Sequence, residues 1–169
     1  MKLLGIGHGH RQTARLTEAE RPRMLQYALY RLGNRADAED AVQDAFVRMY
    51  QRMAGEGLED RNLTGYLYRT LANVCVSRLR EAGRLQTVPL DGQADAAEPE
   101  TEDMEAEFRR ISQLLDGIPD EQVEVIRLHY YGDKTFREIA DILGVPVTTA
   151  KSRFVYGLEK IRRKLRVES

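Results

Sequence analysis

The sequence predicts an all-α protein: two small helical domains joined by a flexible acidic linker, the C-terminal one a helix-turn-helix. Three observations carry this expectation. Apolar residues recur at helical spacing in every patterned segment, with no period-two alternation or hairpin signal. The stretch GRLQTVPLDGQADAAEPETED, rich in Gly, Pro and acids, interrupts that pattern midway. A capping box, a Gly turn and a basic helix close the chain. The expected boundaries are a flexible N-terminus over 1–16, a first domain over 17–83, the linker over 84–104 and a second domain over 105–169.

The elements follow in order. Residues up to about 16 show no pattern and read as loose. Leu25, Ala28, Leu29 and Leu32 are helically spaced, with Pro22 best placed in the first turn, where its missing N–H costs nothing. Gly33-Asn34 stops that helix. A second helix spans about Ala36 to Met53, with Val42, Ala45, Phe46 and Met49 on one side and Asp37, Glu39 and Asp40 at its positive N-terminus. A short loop with two glycines precedes a third helix from about Thr64 to Glu81. Past the linker, Met104 to Leu115 is helical and ends at Gly117; Pro119 opens another helix that ends at Gly132. Thr135-Phe-Arg-Glu138 is a capping box before Ile139, Ala140, Ile142 and Leu143, and Gly144 stops that short helix. The last helix runs from about Val147 to Leu165.

Composition narrows the function. With 169 residues, 42% of them hydrophobic, the chain can pack a core and is not wholly disordered. No apolar run approaches the roughly 18 residues of a membrane helix, and the first seven residues make a poor signal peptide. One cysteine, Cys75, excludes an internal disulfide framework and a Cys-cluster zinc site, and the expected location is the cytoplasm. His8 and His10 lack a third ligand, so no metal is expected. The net charge of −1 conceals asymmetry: eight acids and no bases from Asp91 to Glu107, but seven bases and two acids from Thr148 to Ser169. That distribution, rather than the mean, bears on nucleic-acid binding.

The chemistry concentrates in three places. The last helix offers Thr148, Thr149, Lys151, Ser152 and Arg153 near its start, where a recognition helix meets base edges and phosphates. Lys160, Arg162, Arg163, Lys164 and Arg166 follow as further phosphate contacts. On the third helix Arg69, Asn73, Ser77, Arg80 and Arg84 share a face, with Tyr66 and Tyr68 at its start; rings beside amide and guanidinium groups suit unpaired bases. The bland alternative is a solvated helix face with packed tyrosines. The second helix presents Asp40, Gln43 and Asp44 with no histidine or ligand cluster nearby, which suits a docking surface or a solvated face better than acid–base catalysis. His129, in an apolar helix, reads as packed or partly exposed. No converging catalytic site emerges, so neither an enzyme nor a cofactor or small-molecule substrate is expected.

On these residues the chain resembles the extracytoplasmic function (ECF) sigma factors, small bacterial RNA polymerase specificity subunits. GNRADAEDAVQDAFVRMY is similar to the region 2 signature, and GYLYRTLANVCVSRLR to the helix that melts and reads the −10 element. IPDEQVEVIRLHYYGDKTFREIADILGVPVTTAKSRFVYGLEKIRRKL is similar to region 4, whose helix-turn-helix reads the −35 element. The resemblance covers most of residues 20 to 165. It implies that Asp40, Gln43, Asp44 and Phe46 meet the polymerase core enzyme, with Phe46 mostly in the core of the domain. It assigns Tyr66, Arg69, Asn73, Ser77 and Arg80 to the −10 element, and the loop from Ala54 to Leu63 to a flipped base. It gives Thr148, Thr149, Lys151, Ser152 and Arg153 to the −35 element. The implied partners are core polymerase, promoter DNA and an anti-sigma factor. Departures are Tyr66 where Trp is frequent, Ser77 where Asp is frequent, and Tyr156 and Leu158 where many members carry Arg. Two rival expectations stay open: a sigma-like decoy that binds an anti-sigma factor, and a stand-alone helix-turn-helix regulator.

Overall fold

The computed structural model describes the backbone of residues 3–55, 63–85 and 99–168, with side chains over 13–55, 63–83 and 103–167. Its first helix corrects one expectation. α1 (Leu3–Leu32) takes in most of the stretch read as loose, and Pro22 lies inside it rather than in its first turn. Proline there removes one helix hydrogen bond. Burial offsets that loss: Thr13, Thr17, Glu20, Met24, Tyr27 and Arg31, three or four apart, are all buried, and so is Ala28 beside Tyr27. The stripe escaped an apolar-pattern reading because more than half of it is polar.

α2 (Arg35–Gly55) opens under Asn34, whose Oδ1 accepts from the Asp37 N–H at 3.1 Å. It buries Ala38, Ala41, Val42, Ala45, Phe46 and Met49. α3 (Leu63–Leu85) buries Leu67, Tyr68, Leu71, Val74 and Cys75. α1, α2 and α3 pack pairwise into the N-terminal half.

α3 and α4 (Pro99–Leu115) each extend into the span expected as linker. Its middle, 86–98, lies outside the described residues, as does 56–62 of the loop assigned to a flipped base. In the C-terminal half, α5 (Asp120–Tyr130), α6 (Phe136–Leu143) and α7 (Val147–Glu168) pack on one another, and α4 packs against α7. Gly157 allows α5 and α7 to pack closely: a Cβ there would come within 2.7 Å of Ile126 Cδ1, a side-chain end that would have to shift, and 3.3 Å of Gln122 Cβ. Among the described residues there is no strand, and no helix is long and apolar enough to cross a membrane.

The capping box forms as expected. Thr135 Oγ1 accepts from the Glu138 N–H at 3.2 Å, and the Thr135 N–H donates to Glu138 Oε1 at 3.1 Å. Thr135→Ala is expected to lower stability by about 1 kcal/mol, hence the melting temperature by roughly 2–4 °C, as read by thermal unfolding.

The halves meet directly. α6 packs on α3, and one hydrophobic cluster runs from Leu67 and Leu71 through Leu128 to Ile139 and Ile142. The Tyr30 and Tyr131 rings stack across the junction with centroids 4.4 Å apart.

Candidate nucleic-acid interface

The helix-turn-helix is built by local chemistry. Gly144 adopts φ 66 and ψ 38, the left-handed conformation that ends α6, and its N–H donates to the Ala140 carbonyl. The Val145 N–H donates to the same carbonyl at 3.0 Å, and the Ala150 N–H to the Pro146 carbonyl at 3.1 Å, so the chain reverses and restarts within three residues. Two small residues, Ala140 and Ala150, are buried in the cluster that joins α6 to α7. Behind them His129 stacks on Phe136 (4.8 Å) and meets Phe154 edge-on (4.9 Å). Its Nδ1 lies 2.9 Å from the Lys134 carbonyl, which can only accept. His129 is therefore a packed residue of the motif.

This scaffold leaves Thr148, Lys151 and Ser152 exposed on the first turns of α7, with Thr149 and Arg153 half-buried beside them. Arg153 Nη2 lies 3.6 Å from Glu121, a largely exposed carboxylate that holds the guanidinium only loosely. The five expected residues are thus brought together at one helix start. Tyr156 and Val155 are exposed farther along, whereas Leu158 is half-buried. Lys160 does not join the outer basic face: its Nζ donates to Gln122 Oε1 at 2.9 Å and ties α7 to α5.

The second surface lies on α3. With its apolar side buried, Arg69, Asn73, Ser77 and Arg80 form an exposed stripe. Half-buried Tyr66 heads it, and the Arg52 guanidinium lies 5.2 Å from its ring centroid. Tyr68 is not part of the stripe; its ring is fully buried. A hollow beside Tyr66 is lined by Arg48, Gln51, Arg52 and Gly55 from the end of α2. The sequence reading missed these residues. Arg48 and Arg52 are four apart on a helix read as a docking element, and only the packing of α2 on α3 sets them next to Tyr66.

The four residues expected to face a protein partner divide into two groups. Asp44 accepts from Arg78 at 3.0 Å, and Asp40 lies 3.9 Å from the same guanidinium, so both carboxylates brace α3. Gln43 and Phe46 lie instead along the groove between α1 and α2, with Arg21, Leu25, Val47 and Tyr50. Phe46 is buried, with the Arg21 guanidinium 5.0 Å from its ring centroid.

Among the described residues no three His, Cys, Asp or Glu side chains stand where they could hold a metal. Burial pushes the Cys75 thiol up to about 12, away from the thiolate that reacts.

An all-α chain that carries a helix-turn-helix and, apart from it, an exposed polar stripe headed by Tyr66 is of the sigma-70 class, as two family matches show. Residues 16–85 match Sigma-70 region 2, and residues 114–163 match Sigma-70, region 4. The ECF RNA polymerase sigma factor SigW of Bacillus subtilis is 30% identical over 166 residues, spanning 90% of this chain and 88% of SigW. SigL of Mycobacterium tuberculosis, likewise an ECF RNA polymerase sigma factor, is 30% identical over 145 residues, spanning 84% of this chain and 82% of SigL. The chain belongs to the ECF RNA polymerase sigma factors. In fold it is similar to CnrH in its complex with the cytosolic domain of CnrY (TM-score 0.68, 23% identity, 92% of this chain and 88% of that one). It is also similar to the sigma factor RpoE in complex with the anti-sigma factor NepR from Bartonella quintana (TM-score 0.63, 20% identity, 93% and 98%).

Proposed function

We propose that this chain directs core RNA polymerase to a set of promoters, α7 reading duplex DNA at the −35 element and the α3 stripe holding unpaired bases of the −10 element. The observation that carries this reading is the exposure of both surfaces on one chain: Arg69, Asn73, Ser77 and Arg80 on α3, and Thr148, Lys151 and Ser152 on α7. Thr149 and Arg153 complete the α7 set, and Tyr66 supplies the stacking ring. Hydroxyls and cations at a helix start suit major-groove edges and phosphates. A tyrosine beside guanidinium and amide groups suits bases freed from the stack, and that stacking offsets the cost of unpairing.

The chain itself performs no covalent chemistry on this reading; the polymerase does. Gln43, Phe46 and the α1–α2 groove supply the surface for the core enzyme, and Asp40 and Asp44 shape it through Arg78. The protein acts in the cytoplasm, without a cofactor, and an anti-sigma factor restrains it. The likeness to sigma factors captured with CnrY and NepR supports that last partner.

Run-off transcription from a promoter library, with core polymerase and with or without the chain, tests the reading. New start sites sharing a pair of upstream elements support it; binding to core without new starts favours a decoy. Tyr66→Ala is expected to slow promoter opening about tenfold or more, since base–aromatic stacking is worth about 1–3 kcal/mol. Tyr66→Phe keeps most of the rate, and permanganate reactivity of unpaired thymines reads both.

A further inference from the structure

Two apolar side chains are exposed on the outer face of α7. Val155 is 52% exposed and Tyr156 56%, side by side in the chain. Apolar residues scattered singly over a surface need no explanation, but this pair interrupts a polar face, and the packing beneath fixes it there. Phe154 turns inward, meeting Phe136 with 5.1 Å between ring centroids and His129 with 4.9 Å. Gly157 is buried against α5, and Ala150 is buried one turn before Phe154. With those positions facing in, a helix of 3.6 residues per turn carries Val155 and Tyr156 outward.

Their neighbours on that face belong to the set proposed to meet DNA. Thr148, Ser152 and Val155 are four and three residues apart and share one line along the helix; Tyr156 lies one turn beyond Ser152. The next residue on the line, Glu159, is an exposed carboxylate, which phosphates repel. The stretch that suits a base-lined groove therefore runs from Thr148 to Tyr156. Eight steps along an α-helix span about 12 Å, the width of the major groove. Cations bracket the apolar pair, with Lys151 before it and Arg162 and Arg163 beyond Glu159. That charge favours a polyanion over an apolar protein surface as the occupant.

Base edges in the major groove are donors and acceptors, with one apolar exception: the thymine 5-methyl. Packed against a valine and a tyrosine ring, that methyl leaves water together with the apolar surface it covers. We propose that Val155 and Tyr156 read thymine methyl groups in the −35 element. The hydroxyls and cations of the first turns set the position of α7, and the apolar pair selects thymine over cytosine beside them. This rests on the sigma-factor reading above, which gives α7 the −35 element but not the residues that single out thymine. The contact is uncharged, so its signature is sensitivity to a methyl group rather than to ionic strength.

The test uses holoenzyme reconstituted from core polymerase and the full chain, on a promoter recovered from the library. Each thymine of the −35 element, on either strand, is replaced in turn by deoxyuridine, which removes the methyl and keeps pairing and charge. Wild type is expected to bind about fourfold more weakly when a contacted methyl is removed. Val155→Ala/Tyr156→Ala is expected to bind the unmodified promoter several-fold more weakly at an unchanged salt slope, and to respond to the same replacement by less than twofold. Tyr156→Phe is expected to keep the wild-type response, because the ring and not the hydroxyl makes the contact. Both side chains are exposed, so their truncation costs the fold little; circular dichroism checks this, and the single alanine variants replace the double one should it lose helix.

A wild type indifferent to every methyl, an element without thymine, or an alanine variant as sensitive as wild type would overturn the inference. So would a Tyr156→Phe variant that loses the response, or an alanine variant that binds the promoter like wild type, which would hand the pair to a protein partner. Lys151→Glu/Arg153→Glu separates this failure from that of the underlying reading. If it leaves promoter binding unchanged, α7 does not meet the −35 element; if it weakens binding while no methyl is sensed, only the methyl readout fails.

Discussion

Lys151→Glu/Arg153→Glu is expected to lower promoter-directed transcription by about a hundredfold while leaving core binding unchanged. Both residues stand at the start of α7, in the set proposed to meet the −35 element, whereas the groove proposed for the core enzyme lies between α1 and α2. A good base contact is worth about 1–3 kcal/mol, and two such losses multiply to about that factor at roughly 1.4 kcal/mol per tenfold. Each lost phosphate contact also flattens the salt dependence of log affinity by nearly one unit. Arg153 spans only a 3.6 Å pair to an exposed Glu121, so its reversal costs the fold little. Salt-titrated promoter binding of the reconstituted holoenzyme separates the arms: a flatter slope with weaker binding marks lost phosphate contacts. Unchanged transcription would remove α7 from promoter recognition.

Leu71→Ala is expected to destabilise the fold by about 2–5 kcal/mol, through lost transfer free energy and the cavity left behind. Leu71 is fully buried beneath the α3 stripe, in the cluster that continues into the C-terminal half. The loss corresponds to a fall in melting temperature of roughly 5–15 °C. By contrast Ser77→Ala, at an exposed position two turns along the same helix, is expected to shift it by about 1 °C or less. A scan of both variants decides it: equal shifts would mean that α3 does not bury the face described.

The α6–α7 motif was legible because its signals are short-range. A Thr and a Glu three residues apart, a Gly after the last apolar position and small residues at the crossing each act on neighbours in the chain, and the capping box and the left-handed Gly144 form as read. The exposed stripe on α3 was legible for the same reason, since a helix of 3.6 residues per turn sorts its own faces. α1 was misread at its start because its buried stripe mixes Thr13, Thr17, Glu20 and Arg31 with apolar residues. Glu20 and Arg31 have partners that lie far along the chain, whereas the Thr17 hydroxyl donates to the Ala14 carbonyl one turn back.

The sequence by itself determined the all-α class, the helix-turn-helix and the two polar faces proposed to meet DNA, because periodicity, capping and charge are local. Only the tertiary structure decided what the charges do. Asp40 and Asp44 look like a docking face until Arg78 arrives from α3, and Arg48 and Arg52 look solvated until Tyr66 is beside them. The buried Glu20–Lys134 ion pair spans 114 positions and the Tyr27–Glu124 hydrogen bond 97, and nothing in either local stretch names the other. Coulomb attraction selects no partner along a flexible chain; burial does, by removing the water that would otherwise satisfy each ion alone.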